Sequence, residues 1–406
     1  MSDHAHLDAL PDIPALATPK LKGFASLLLA AGLIAFIGLI AAGDANRAWG
    51  GFLAGLVLPA WFSLAALFFI AVHRITGARW HAPVRRLMEG LSVGIPLTLV
   101  GFIVLAAAGA SSVYDWFYLA GHDAAGHAAL FKTASKAAWM TPGRWVATGV
   151  AIPLIWWFLQ NRLVATSLAE DGGATIKGTH RAWSLAFLLL FAYTFTLFAW
   201  DLLLSLQVHA ISAMWGIYQF VGALQALLAL LLIIVHVARR TSLAQVIGKH
   251  TIHDIGTWLV GLSCVWAYIT FAQYLIIAFA NMDEETQFYL MRFQHGWKEV
   301  AIVEVLLRFP LPFFLLLSQS TRTTAPAGIA AGVAIVVAAL IQLVWIVAPV
   351  MHPNGMPTFP ILPELAIVAG FLGGYLLLAL RFWRKHGLVA RNDPDLLPSI
   401  NAEHLH

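Results

Sequence analysis

Cysteine and charge are what this 406-residue sequence has least of. Its single cysteine, Cys264, lies inside an apolar run. That excludes an intrachain disulfide, a CxxCH haem attachment and a cysteine-ligated iron–sulfur cluster. Charged residues make up 11% of the chain against 60% hydrophobic, a balance far from that of a soluble domain. The segment Met1 to Pro19 has no basic n-region followed by its own apolar core, so it reads as a soluble tail rather than a cleavable signal. Gly172-Gly173 has no phosphate-loop context around it. The net charge is only +4, with the basic residues spread over the joints between apolar runs, which gives no reason to expect a nucleic-acid partner.

What is present is apolar length. Runs fall at 23–43, 50–73, 84–108, 144–163, 181–205, 210–237, 252–280, 297–319, 326–349 and 361–383. Each is about the 20 residues that a helix needs to cross the hydrocarbon layer, and backbone polar groups in lipid must be satisfied within the segment. The predicted fold is therefore an all-α integral membrane protein of about ten transmembrane helices, occupying 23–383 between an N-terminal tail (1–22) and a C-terminal tail (384–406). An even number of spans puts both termini on one side. Joints on that side carry 17 Lys and Arg and those on the other carry six, so the positive-inside rule predicts cytoplasmic termini, with membrane lipid as the surrounding partner.

The longest outer loop, about 109–143, holds an aromatic stretch (Tyr114, Trp116, Phe117, Tyr118) suited to the interface. Prolines within runs (Pro59, Pro96, Pro153, Pro310, Pro312) free carbonyls and kink helices, the last two most of all. Tryptophans near run ends (Trp61, Trp80, Trp183, Trp297, Trp383) read as interface anchors.

Ionisable groups inside a span cost roughly 2.5–3.5 kcal/mol each on insertion scales, so each needs a partner or a purpose. Glu304 and Arg308 sit near mid-membrane at i, i+4, on one helix face, and are expected to neutralise each other. As a pair they fix helix packing or serve a proton relay. Asp201 and Ser205 are one turn apart, with His209 a further turn along if the helix continues. Tyr218 on the next span, then Gln273 and Tyr274 on the one after, complete a candidate polar stripe suited to carrying protons. A weaker set lies at the cytoplasmic ends as candidates for proton uptake: Glu89, His236, His253 and Asp254. Charged residues there can also snorkel to the interface. A lone loop histidine is ordinarily a solvated residue, a reading that also covers His4, His6, His404 and His406 in the tails. No two histidines lie at the same interior depth as bis-histidine haem ligation requires, so no intrinsic haem or metal is expected.

The run Asp201-Leu-Leu-Leu-Ser-Leu-Gln-Val-His209, followed by Ser212 and Met214-Trp-Gly-Ile-Tyr218, resembles the "DWxMSL-x-PHWFSTMxGxY" stretch of the second quinone-binding-type membrane subunit of bacterial alternative complex III. His253-Asp254-Ile-Gly256, Val265-Trp-Ala-Tyr268, Phe271-Ala-Gln273-Tyr274 and Asn281-Met-Asp-Glu-Glu-Thr286 are similar to its "HDLG … FWAYxxFSQYxLIWYxNxPEET" segment. Arg292, Trp297 and Arg308-Phe-Pro-Leu-Pro-Phe-Phe-Leu-Leu-Leu-Ser318 resemble its "RFxxPFxxLLS" end. The likeness is close over about 200–320 and elsewhere rests on spacing and hydropathy. Leu202, Val208 and Ala210 depart from the family's tryptophan, proline and tryptophan.

The resemblance places the chain among polysulphide-reductase (NrfD-like) membrane subunits. It implies two four-helix bundles plus two peripheral helices. It also implies a role in quinol oxidation, with a quinone or quinol (menaquinone among the candidates) as ligand and no redox cofactor of its own. Implied partners are a homologous NrfD-like quinone-binding subunit, an iron–sulfur, molybdopterin-like subunit, and multihaem and monohaem cytochrome c subunits carrying haem c. The rival readings are a secondary transporter with its site at the helix broken by Pro310 and Pro312, and a structural scaffold for redox partners.

Overall fold

The computed structural model describes residues 19–131, 133–173, 177–352 and 361–401; the leader before Pro19 and the tail histidines lie outside them. Among the described residues every regular element is helical. The apolar runs become α1 (Pro19–Ala41), α2 (Ala45–Thr76), a third span made of α3 (Ala82–Leu91) and α4 (Ile95–Val104), α5 (Pro142–Asp171), α6 (Lys177–Leu202), α7 (Trp215–Ala238) and α8 (Lys249–Ala280). After a short helix α9 (Asp283–Phe293) come a broken span of α10 (Trp297–Arg308) and α11 (Pro310–Leu317), then α12 (Ala325–Met351) and α13 (Leu362–His386); α14 (Leu396–Asn401) closes the described chain.

Nine helical stretches among the described residues are long and apolar enough to cross a membrane. The tenth predicted span, α5, is 30 residues long, with its apolar character diluted by Arg144, Gln160, Asn161 and Arg162. The chain is thus an all-α integral membrane protein of roughly ten spans.

The helices form two rings of four. α2, α3/α4, α5 and α6 make the first bundle, and α7, α8, α10/α11 and α12 make the second; α2 packs against both α7 and α12 at the seam. That central position explains why the most apolar stretch of α2 is 89% buried while that of α1 is 17% buried. α1 and α13 pair outside the bundles. A Cβ on Gly32 would lie 2.6 Å from the Gly370 Cα, so the two backbones touch where neither residue has a side chain. Residue 25 meets 373 and residue 32 meets 370, an antiparallel register that brings Pro19 and His386 to the same end of the molecule. This is called the termini end below, and its opposite the far end.

The structure departs from sequence expectation at several points. Trp61, Trp297 and Trp383 are buried core residues rather than interface anchors, because each is enclosed by neighbouring helices. Pro59 and Pro153 stay inside continuous helices, whereas the third span breaks at Ser92–Gly94, just before Pro96. Helix α1 begins at Pro19, inside the expected tail. In the outer loop Tyr114 and Trp116 are buried, with the Tyr114 hydroxyl donating to the Leu202 carbonyl at 2.8 Å. The C-terminal segment docks on the termini end: Leu388, Ala390 and Leu396 are buried, and Asp393 pairs with Arg85 at 2.7 Å.

Candidate functional site

The site is built on the break between α10 and α11. Pro310 and Pro312 have no N–H to donate, so the carbonyls four residues earlier, those of Leu306 and Arg308, lose their helical partners. The Gln225 amide repairs one of them: its Nε2 donates to the Arg308 carbonyl at 3.0 Å and to the Ser263 hydroxyl at 2.8 Å. Its Oε1 accepts from Arg308 Nε at 2.8 Å. The rest of the guanidinium donates to Gln342 Oε1 at 2.5 Å and to the Gly222 carbonyl at 2.6 Å. Its cationic carbon lies 4.9 Å from the Trp266 ring centre. Arg308 is eleven residues from the start of α10, about 16 Å along the axis and near mid-membrane. It is fully buried and held by neutral oxygens from α7 and α12.

That arrangement leaves Glu304 unmet. Its carboxylate comes no closer than 3.9 Å to Arg308 Nη1, too far for a hydrogen bond. Oε1 is buried without a hydrogen-bond partner. Instead, Glu304 faces a cavity of about 400 Å3 in the far half of the second bundle. Apolar and aromatic walls such as Trp215, Trp266 and Phe288 surround a few polar groups: Tyr218, Gln273 and Tyr274 from the predicted set, and Glu285 and Tyr289 from α9. Tyr218 is buried. Gln273 accepts a hydrogen bond from Ser212 at 3.0 Å. Tyr274 is 40% exposed and meets Tyr289 edge-on at 5.4 Å between ring centres. A few hundred cubic ångströms with apolar walls and a few converging polar groups is the form of a small-molecule site.

Four predicted residues therefore line one cavity (Tyr218, Gln273, Tyr274 and Glu304), with Arg308 directly behind it. Asp201, Ser205 and His209 do not join them. Asp201 is buried in a two-pronged pair with Arg144, at 2.7 and 2.9 Å, and accepts from Thr148 at 3.0 Å. Ser205 donates to the Asp201 carbonyl at 2.6 Å. Both line a second cavity on the first-bundle side. The expected further helical turn to His209 is not made: α6 ends at Leu202 and the chain passes through a short 3-10 turn, leaving His209 exposed. Glu304 and Arg308 form the expected buried ion pair at 3.9 Å, but amides and a carbonyl, not the carboxylate, hydrogen-bond the guanidinium.

At the termini end Glu89 does not snorkel. It is buried and bonds Arg86 at 2.5 Å, with Arg85 at 3.7 Å and Arg74 at 3.9 Å. Arg85 also reaches Glu170 at 3.2 Å and Asp393, and Arg86 pairs with Asp171. Burial pushes the Asp393 carboxyl above its ordinary value although Arg85 pulls it down. This network ties α3, the end of α5 and the C-terminal segment together. His236 is buried against Gly328. His253 and Asp254 are half-buried neighbours, 3.4 Å apart, with Arg322 at 3.2 Å from His253. Among the described residues, no three His, Cys, Asp or Glu side chains converge as metal ligands would.

Several participants were not foreseen. Arg292, counted as an outer-loop cation, is buried. It donates to Gln207 at 3.1 Å and to the Phe288 carbonyl at 2.9 Å, and lies over the Phe288 ring. Gln342 and Arg144 were likewise unread. The α9 wall had a legible signal: Glu285, Phe288, Tyr289 and Phe293 follow i, i+3, i+4, i+8, one face of a helix. No protein-family model matches the chain, and no curated protein matches it.

Proposed function

We propose that the chain is a membrane subunit of a quinol-oxidising respiratory complex, and that the second-bundle cavity receives the quinone head. The reading rests on one observation: a buried carboxyl without a hydrogen-bond partner, Glu304, faces an aromatic-walled cavity of about 400 Å3 beside Tyr218 and Gln273. A quinol head has two hydroxyls that need hydrogen-bond partners, and an apolar body that needs such walls. Quinol becomes quinone by losing two protons and two electrons. Glu304 is the group we assign to accept a proton from a head hydroxyl, and the fixed Arg308 cation behind it favours the ionised carboxylate that this step needs at its start. The two electrons pass to an iron–sulfur or c-type haem centre on a partner subunit, in the division of labour that the sequence resemblance implies. The cavity lies in the far half, so protons released there leave on the side away from the termini. The surplus of basic residues in the termini-side joints favours the cytoplasm of a bacterial inner membrane for that end.

The test is purification through a tag on this chain in mild detergent, with mass spectrometry, a visible spectrum and a quinol:cytochrome c assay, repeated for Glu304→Gln. Co-eluting haem and iron–sulfur subunits, with activity lost in the variant, support the reading. A colourless single protein argues against it. That outcome turns attention to a second reading, a secondary transporter, which the α10–α11 break at mid-membrane favours; solute uptake by the chain alone in liposomes tests it.

A further inference from the structure

A prenylated quinone is far longer than its head, and the first cavity accounts only for the head. A second cavity, about 610 Å3, adjoins it. The two share four wall residues, Leu204, Ala210, Ile211 and Ser212. This wall is not helical: a 3-10 turn at Leu204–Leu206 leads into irregular chain before α7 begins at Trp215. Non-helical backbone at membrane depth is tolerated where it lines a cavity or is buried in protein, and here it separates two cavities.

The wall is pinned from both sides. Ser212 donates to Gln273 in the first cavity, Ser205 donates to the Asp201 carbonyl on the side of the second, and Gln207 is held by buried Arg292. The second cavity is walled mostly by apolar groups, among them Leu197, Trp139 and Ala213. Two of its lining residues, Tyr193 on α6 and Ile211 in the joint before α7, are 67% and 65% exposed. Walls that are mostly apolar suit a hydrocarbon chain, with Lys136, Asp201 and Ser205 as the polar groups at the same cavity.

We propose that the second cavity takes the isoprenoid tail of the molecule whose head lies beside Glu304, and that the segment Leu204–Ser212 is the partition over which head and tail are threaded from the bilayer. This rests on the quinone reading above. It adds the ligand class, a head with a long apolar tail, and the direction from which it arrives. Since one buried methylene is worth about fourfold in affinity, the cavity sets a preference for tailed over tail-less quinones.

The experiment compares a tail-less naphthoquinone with its decyl derivative, binding to the whole protein in lipid nanodiscs. Leu197→Trp and Ala213→Trp each place an indole in the second cavity from a different segment, so one variant still reports if the other misfolds. The expected result is a tail preference in the unmodified protein that falls about tenfold or more in both variants, while affinity for the tail-less compound and its sensitivity to Glu304→Gln are unchanged. A tail preference that survives in both variants overturns the inference and leaves the head site standing, with the tail leaving past Phe271 and Tyr274 instead. Failure of the unmodified protein to bind either compound overturns the quinone reading, and this inference with it.

Discussion

Arg308 and Glu304 stand one helical turn apart and do not hydrogen-bond: 3.9 Å separates them, while the guanidinium satisfies itself on Gln225, Gln342 and the Gly222 carbonyl. The cation is thus a fixed part of the scaffold, and the carboxyl is left for the cavity. Arg308→Lys cannot hold all three oxygens with a point ammonium and is expected to lose about 1.5–3 kcal/mol, the worth of one charged hydrogen bond. Gly222→Ala should act similarly, since its Cβ would lie 2.7 Å from Arg308 Nη2. Glu304→Gln should leave thermal stability nearly unchanged and remove activity. Melting curves in detergent beside the quinol assay check the contrast; equal destabilisation in all three variants would make Glu304 a packing residue.

Asp201 is expected to behave in the opposite way. Its carboxylate anchors Arg144 and Thr148, and its carbonyl takes the Trp145 indole N–H at 2.9 Å, so it fastens α5 to the end of α6. Asp201→Asn leaves a half-buried guanidinium with a neutral partner. That should loosen the far-end segment 115–140, read as faster hydrogen exchange there, while activity falls less than in Glu304→Gln. Full loss of activity with unchanged exchange would return Asp201 to a proton route.

The contrast shows which parts of the site a sequence displays. Glu304 and Arg308 were legible because helical spacing relates residues four apart, and because charge inside an apolar run is conspicuous. The same reasoning found Tyr218, Gln273 and Tyr274. It could not pair Asp201 with Arg144, since 57 residues separate them and only the α5–α6 packing brings them together. It ended the apolar run at 205 and put His209 a turn further only if the helix continued, whereas α6 stops at Leu202, where the carbonyl takes the Tyr114 hydroxyl from 88 residues away in sequence. The ten runs and the two-bundle arrangement were readable from apolar length and from resemblance, while burial of Trp61, Trp297 and Arg292 depends on which helices neighbour which.

The α1–α13 contact gives a test of the peripheral pair. Gly32→Leu must push against the Gly370 backbone, at 2.6 Å from its Cα, and overpacking of that kind costs about 1–3 kcal/mol. Gly38 lies on the same helix, and a Cβ at that position would meet nothing within 4 Å, so Gly38→Leu is the matched control. Limited proteolysis of the α1–α2 joint should accelerate in the first variant alone. Equal rates would mean that lipid, not α13, holds α1 in place.

Acidity should act at the turn between α2 and α3, where His81 is 4% exposed and its ring lies tilted against that of His73, 4.7 Å between ring centres. Burial first, then His73, Arg85 and Arg74, hold its pKa well below 6.5, so the folded protein keeps this imidazole neutral. A depressed folded-state pKa contributes stability above the ordinary value and loses it as pH falls below, here by roughly 1.4 kcal/mol per pH unit until the folded-state value is reached. Melting temperature should therefore drop between about pH 7 and about pH 5. His81→Phe keeps the ring and removes the proton site, so its curve over that range should be flatter. Glu170, whose carboxyl burial pushes up but His180 and Arg85 pull below its ordinary value, remains in the variant, and an unchanged slope in His81→Phe would assign the acid sensitivity to it.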